Sequence, residues 1–179
     1  FKGDSYKDIN VEFKNFDINA LTSAQESFVI YGNLNGKINY NQNKQVYKPT
    51  ASLRIDSLKV NNHDLGILNF DIKGDESFKK FTIYSTIENK DFESFSADGS
   101  FEVVNKETLF DLNLKFDRFN LATLSSLGGD VISNIRGLVS GNATIGGTLN
   151  KPDVNGRLFV NGGGLAIPYL NVDYALKEK

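Results

Sequence analysis

The 179-residue chain has no cysteine, no methionine and no tryptophan, and it has a single histidine. Without cysteine there is no disulfide, no thiolate metal site and no thiol nucleophile. His63 has no second imidazole to share a metal or a proton relay, and its setting, Asn61-Asn62-His63-Asp64, reads as a surface turn. No apolar run approaches the ~18 residues that a membrane-crossing helix needs. These residues give no expectation of a signal peptide or a basic transit segment among them. The lack of methionine suggests a piece of a longer chain.

Charge of one sign is also missing. Lys and Arg number 20 and Asp and Glu 22, for a net charge of −2. The cations stand singly, and Lys79-Lys80 is their longest run. Nucleic acid is therefore not expected as a partner, because it requires a basic patch or stripe. No nucleotide site is expected either. Gly162-Gly163-Gly164 lacks the Lys-Ser/Thr pair and the helix of a phosphate loop, and it reads as a turn between strands. Asp91 and Glu93 do not make a glycosidase pair. Asn142-Ala143-Thr144 fits the glycosylation rule but lies in a strand-like, Gly-rich stretch. Nothing points to catalysis, a metal or a cofactor.

What is present is alternation. Hydrophobic residues make up 40% of the chain, enough to exclude whole-chain disorder. They recur with period two, the mark of strands with one buried face. Ile9, Val11 and Phe13 alternate with Asn10 and Glu12. The same pattern holds for Ala51, Leu53 and Ile55, for Leu68, Phe70 and Ile72, and for Phe81, Ile83 and Ile87. It continues in Phe95, Ala97, Gly99 and Phe101, in Phe110, Leu112, Leu114 and Phe116, and in Leu170, Val172, Tyr174 and Leu176. Turn residues separate these runs, as at Gly74-Asp75 and Glu88-Asn89-Lys90-Asp91. Only two stretches look helical, about 19–26 and about 122–127. Each is too short to stand alone, so docking through Leu21 and Leu124 is expected.

The chain also resembles itself. Residues 8–18 (DINVEFKNFDI) and 111–121 (DLNLKFDRFNL) share four identities and three aliphatic exchanges at an offset of 103. Leu21 then matches Leu124, Lys48-Pro49 matches Lys151-Pro152, and Gly32-x3-Gly36 matches Gly137-x3-Gly141 two residues further on. Leu68, Phe70 and Ile72 match Leu170, Val172 and Tyr174 at offset 102. This predicts one continuous unit over 1–179, with repeats at about 8–110 and an incomplete 111–179. Such repeats stack neighbour on neighbour. About a dozen strands would give a sheet roughly 60 Å long, and curling it would hide its apolar face.

The second repeat reads Gly137-x3-Gly141-x5-Gly147-x4-Pro152-x3-Gly156-x-Leu158, then a Gly-rich stretch and Ile167-Pro168-Tyr169-Leu170-x-Val172. Phe119-x-Leu121-x-x-Leu124 precedes it. This pattern resembles the TamB family of Gram-negative envelope proteins, within the AsmA-like superfamily. Repeat 1 departs from it, with Leu53 aligned to Gly156. The resemblance implies an all-β fold: an elongated, curved antiparallel sheet, the β-taco or U-shaped trough, with one or two short helices. It further implies a periplasmic segment of a protein anchored in the inner membrane elsewhere, carrying phospholipid between inner and outer membranes. A TamA-type outer-membrane barrel is the implied protein partner.

Phospholipid acyl chains would need a continuous apolar track. The residues expected to line it are Val11, Phe13, Leu53, Ile55, Phe70, Ile72, Phe81, Ile83, Phe101, Leu112, Leu114, Phe116, Val154, Leu158, Val172 and Tyr174. Phe16, Ile18 and Leu21, with Phe119, Leu121 and Leu124, are expected to pack at a trough end or to gate its rim. Two alternatives stand beside the conduit. One is a scaffold for outer-membrane protein assembly, acting through an exposed strand edge. The other is a closed β-sandwich binding module whose apolar faces meet in a dry core.

Overall fold

The computed structural model describes residues 6–22, 29–61, 63–104, 107–128, 131–148 and 150–176, with backbone only at 21–22 and 126–128. Its strands are β1 (Tyr6–Asp17), β2 (Ile30–Asn43), β3 (Val46–Val60), β4 (His63–Gly74), β5 (Lys80–Asn89), β6 (Phe92–Val104), β7 (Glu107–Asn120), β8 (Ser133–Thr148), β9 (Lys151–Ile167) and β10 (Val172–Ala175). They form one ten-stranded sheet in sequence order, every pair antiparallel. β1 and β10 are the two edges, so the sheet is open. The closed-sandwich alternative is thereby corrected: among the described residues no second sheet faces the first. The chain exposes 12381 Å², against about 8,700 Å² for a compact monomer of its 19.9 kDa.

β2, β8 and β9 are the strands that alternation alone does not mark. Their inward positions are partly glycine, as at Gly36, Gly141 and Gly156, so period two is hidden in them. The helical expectation changes as well. Residues Asn19–Thr22 make a single helical turn, and the remainder of the stretch to 26 lies outside the described residues. The second stretch is a 3₁₀ segment, Leu121–Gly128. Thr123 donates its hydroxyl to the Asn120 carbonyl at 2.8 Å, and the Asn120 side chain accepts the Ala122 N–H at 3.0 Å. Such local bonds to Ser, Thr and Asn favour turns over a regular helix.

Strands β1, β3, β7, β8 and β9 each hold an extra residue in the left-handed region, at Asn15, Ser57, Arg118, Asn134 and Gly162. Each accompanies a shift in pairing register or an added residue in the strand. Such bulges bend a strand and raise its twist. The bulge between Phe13 and Phe16 returns both rings to one face, with centroids 6.0 Å apart. The one between Phe116 and Phe119 does the same at 5.9 Å. Both bulged N–H groups find a side chain on the next strand. Asn15 donates to Asn35 Oδ1 at 2.8 Å and Arg118 to Ser140 Oγ at 2.9 Å.

Pairing also revises the equivalence beyond β1 and β7. Gly36 faces Leu53 and Gly141 faces Leu158, so β3 and β9 correspond at offset 105. Leu53 is thus equivalent to Leu158, not to Gly156, and the Lys-Pro match falls two residues out of register.

Gly36 and Gly141 lie opposite Phe13 and Phe116 with φ of 129° and 133°. A Cβ on either would collide with a carbonyl oxygen of the next strand, Ser52 O or Arg157 O. Glycine kinks of this kind let a sheet bend. Gly141→Val is expected to destabilise the sheet by at least about 1–3 kcal/mol, the usual strain of such a backbone. A fall in the urea midpoint at constant slope is the measurement that checks it.

Candidate functional site: the apolar face of the sheet

Cross-strand pairing sorts the apolar residues into rungs. One rung crosses β1 to β9 as Phe13, Gly36, Leu53, Phe70, Ser85, Ala97, Leu114, Ala143 and Gly156. Its neighbour runs Val11, Ile38, Ala51, Ile72, Ile83, Gly99, Leu112, Ile145 and Val154. Beyond that, Phe81, Phe101 and Phe110 stand in line. On the other side come Phe16, Leu34, Ile55, Leu68, Ile87, Phe95, Phe116, Gly141 and Leu158. None of these side chains is charged. The one serine satisfies its own hydroxyl: Ser85 donates to the Asn69 carbonyl at 3.1 Å.

The opposite face is polar along the same ladder. Asn35 donates to Asp56 at 3.1 Å, Arg54 to Asp56 at 2.8 Å, and Asn69 to Glu88 at 3.1 Å. Water therefore wets one side of the sheet and meets almost only carbon on the other.

The apolar face has a sealed side and an open strip. Ile18, Leu58, Leu65, Ile87, Phe119 and Val139 are buried together, with Leu34, Ile55, Leu68, Phe95, Phe116 and Leu121 packed against them. Phe95, Phe116 and Phe119 lie within 5.3, 6.0 and 5.9 Å of one another. Ile55 and Phe116 thus belong to this cluster. Leu53, Phe70, Ile72, Ile83, Leu112 and Leu114 are only half-buried, with no second sheet above them among the described residues. Val11 and Val154, at the two ends of their rung, are 42% and 62% exposed.

Several expected residues sit elsewhere. Val172 and Tyr174 pair with Ile167 and Leu165 at the far end of β9, away from the positions of Val154 and Leu158. Leu124 is exposed, while Thr123 and Leu121 make the inward contacts of the 3₁₀ segment. The Leu21 side chain lies outside the described residues. Sequence reading missed Phe78, a turn residue with φ of 59°. Its ring lies 5.7, 5.5 and 5.3 Å from Tyr40, Tyr47 and Phe81, and Phe81 stacks on Phe101 at 4.7 Å. Asp75 shapes that turn by accepting the Ser77 hydroxyl and the Lys79 and Lys80 N–H groups. Those bonds, the Ser77 one first, hold its carboxyl below the usual range. Spacing could not reveal this, since the contacts come from a neighbouring hairpin.

Gly162-Gly163-Gly164 is not a turn. It lies inside β9, and the turn to β10 is Pro168–Leu170. The reason is a side chain that needs the space. Arg136 of β8 crosses over β9 to reach Asp173 of β10, pairing through Nη2 with Oδ1 and through Nη1 with Oδ2 at 3.2 Å. A Cβ on Gly164 would sit 2.5 Å from the Arg136 guanidinium carbon. Asn134 adds a donor to Asp173 Oδ2 at 2.9 Å.

Comparison with known proteins bears on this geometry. Residues 2–160 match the family described as TamB, N-terminal domain. The chain belongs to the TamB family. No curated protein matches it, and no solved structure does. TamB proteins form a transport and assembly family without known catalysis, and they work with TamA. In this TamB-family chain, no described helix is long and apolar enough to cross a membrane.

The Arg136 clasp has a pH signature. Hydrogen bonding from Arg136, then from Asn134, lowers the Asp173 pKa below its ordinary 3.8. A lowered folded-state pKa adds stability above the unfolded value and loses it as pH falls through the folded one. The protection of β10 amides, relative to their intrinsic exchange rates, should therefore fall on acidification below pH 3.8. Asp173→Asn should raise β10 exchange at neutral pH and flatten that acid response, as hydrogen exchange with mass detection would show.

Proposed function

We propose that this chain is a periplasmic length of a hydrophobic conduit for phospholipid between the inner and outer membranes. The observation that carries the reading is a charge-free apolar strip that crosses nine strands and is covered by no second layer among the described residues. Eight spacings of about 4.8 Å make it roughly 38 Å long, longer than the ~15 Å of one leaflet's hydrocarbon. Acyl chains would gain about 0.8 kcal/mol per buried CH₂, while head groups stay in water at the rim. The lipid-contacting residues in this reading are Leu53, Phe70, Ile72, Ile83, Leu112 and Leu114, with Val11 and Val154 at the ends. The chain is then one continuous run of repeats, with no energy source of its own.

A second reading, assembly of outer-membrane proteins beside TamA, draws on the free edge of β1. It requires edge prolines to impair function and charges on the strip to leave it intact.

Leu114→Asp and Phe70→Asp place a carboxylate in the strip, where an unpaired charge is unfavourable. With a photocrosslinker at Leu112, lipid adducts in cells should fall at least severalfold in either variant. Normal adduct yield in a variant whose circular dichroism is unchanged would sink the conduit reading.

A further inference from the structure

The apolar strip has two long margins, at opposite ends of its strands, and they differ. One carries the buried cluster of Ile18, Leu58, Leu65, Ile87, Phe119 and Val139. The other is aromatic and still meets water. Tyr40, Tyr47, Phe81, Phe101 and Phe110 are half-buried there, and Phe78 is 44% exposed.

Phe78 holds a backbone position that suits glycine. It lies in the β4–β5 turn with its N–H bonded to the Asp75 carbonyl at 3.2 Å and its φ at 59°. A bulky residue is an outlier in that region, and such strain persists where the surroundings impose it, often at functional places. Here the Asp75 side chain fixes the turn, and the rings of Tyr40, Tyr47 and Phe81 hold the phenyl group. Glycine would make the same turn without strain. What phenylalanine adds is apolar surface at the border between strip and water.

Tyrosine fits that border too, with an apolar ring and a polar tip. The Tyr40 hydroxyl donates to Gln42 Oε1 at 3.1 Å, and Gln42 donates to the Lys44 carbonyl at 2.8 Å, so a polar chain runs from the ring to the β2–β3 turn. Lys44, Lys79 and Lys80 stand beyond the rings, all exposed and in no ion pair among the described residues. Of the two carboxylates in the β4–β5 turn, Asp75 is occupied by its internal hydrogen bonds, which leaves Glu76. At the opposite ends of β3 to β6 the balance reverses: Asp64, Glu88, Asp91 and Glu93 outnumber Lys59 and Lys90.

The spacing also fits. From Phe110 to Phe116 the strip is six residues wide, roughly 20 Å at ~3.3 Å per residue. One leaflet's hydrocarbon is ~15 Å thick. An acyl chain laid along the strands from the aromatic margin would end near the rung of Leu53, Phe70 and Leu114, short of the cluster.

We propose that the margin at the β2–β3 and β4–β5 turns is the headgroup side of the strip. A glycerophospholipid lies there with its acyl chains along the strands, its ester level at Tyr40, Tyr47 and Phe78, and its phosphate toward Lys44, Lys79 and Lys80. This deepens the conduit reading and rests on it.

The test uses the whole chain with vesicles of phosphatidylethanolamine and phosphatidylglycerol. The vesicles carry a trace of phospholipid with a diazirine either on the headgroup or at the acyl end, and labelled peptides are mapped by mass spectrometry. The headgroup probe should label residues 44–48 and 75–80 several times more than 63–65 and 88–93. The acyl-end probe should label Leu53, Phe70 and Leu114 and spare the turns. Phe78→Gly should lower headgroup labelling of the turns severalfold with circular dichroism unchanged. Lys79→Glu with Lys80→Glu, which leaves every ring in place, should do the same. Equal headgroup labelling of the two margins, labelling mainly at 88–93, or full labelling in the lysine variant would overturn the orientation, and the conduit reading would stand as long as acyl labelling of the strip persisted. Absence of acyl labelling on the strip would sink the conduit reading and this proposal together.

Discussion

Cross-strand register is the constraint on which the apolar face depends. Side chains alternate, so a slip of one residue in any strand would turn its leucines and phenylalanines to water and its asparagines to the strip. Ten strands must agree, and their sequences are not all of one length. The bulges at Asn15, Ser57, Arg118, Asn134 and Gly162 absorb extra residues and restore parity beyond them. That is why Phe13 and Phe16 share a face although three positions separate them. Each bulge leaves a backbone donor to be satisfied. Asn35 and Ser140 do this at the two equivalent places, which ties the polar face to the order of the apolar one.

The division of the apolar face follows from where the sheet can close on itself. On one side, Ile18 and Phe119 are buried in one cluster with Leu58, Leu65, Ile87 and Val139. On the other, Phe78 reaches back from a turn to the Tyr40–Tyr47 hairpin. Between these margins the floor is made of one layer. Stability is thus concentrated at the margins, and the middle is left free for another apolar body without dismantling a core.

Much of this was legible in the residues. Alternation in β1, β3 to β7 and the Phe-x-x-Phe repeat identified an all-β chain and most of the rung members. The glycine-rich strands were harder, because a glycine on the inner face contributes no hydrophobic signal while serving the bend. The role of Gly164 was invisible for another reason: it is set by Arg136, 28 residues earlier, and by Asp173 on a third strand. The offset of 103 misleads only from β3 onward: the Gly32-x3-Gly36 match already carries the two-residue shift that arises in the connection after β1, and pairing carries it on to Leu53 and Leu158. Sequence could not separate Ile55 and Phe116, which join the cluster, from Leu53 and Leu114, which do not. Alternation assigns a face, not a depth.

The meander order has a kinetic meaning. Every strand bonds only to those just before and after it in the chain. Each pairing closes a short loop, so contact order stays low for a β protein and no strand waits for a distant partner. A chain that emerges end first can add strands one at a time. The edge exposed at any moment is then the one the next residues will cover, which shortens the interval in which it could pair with a stranger.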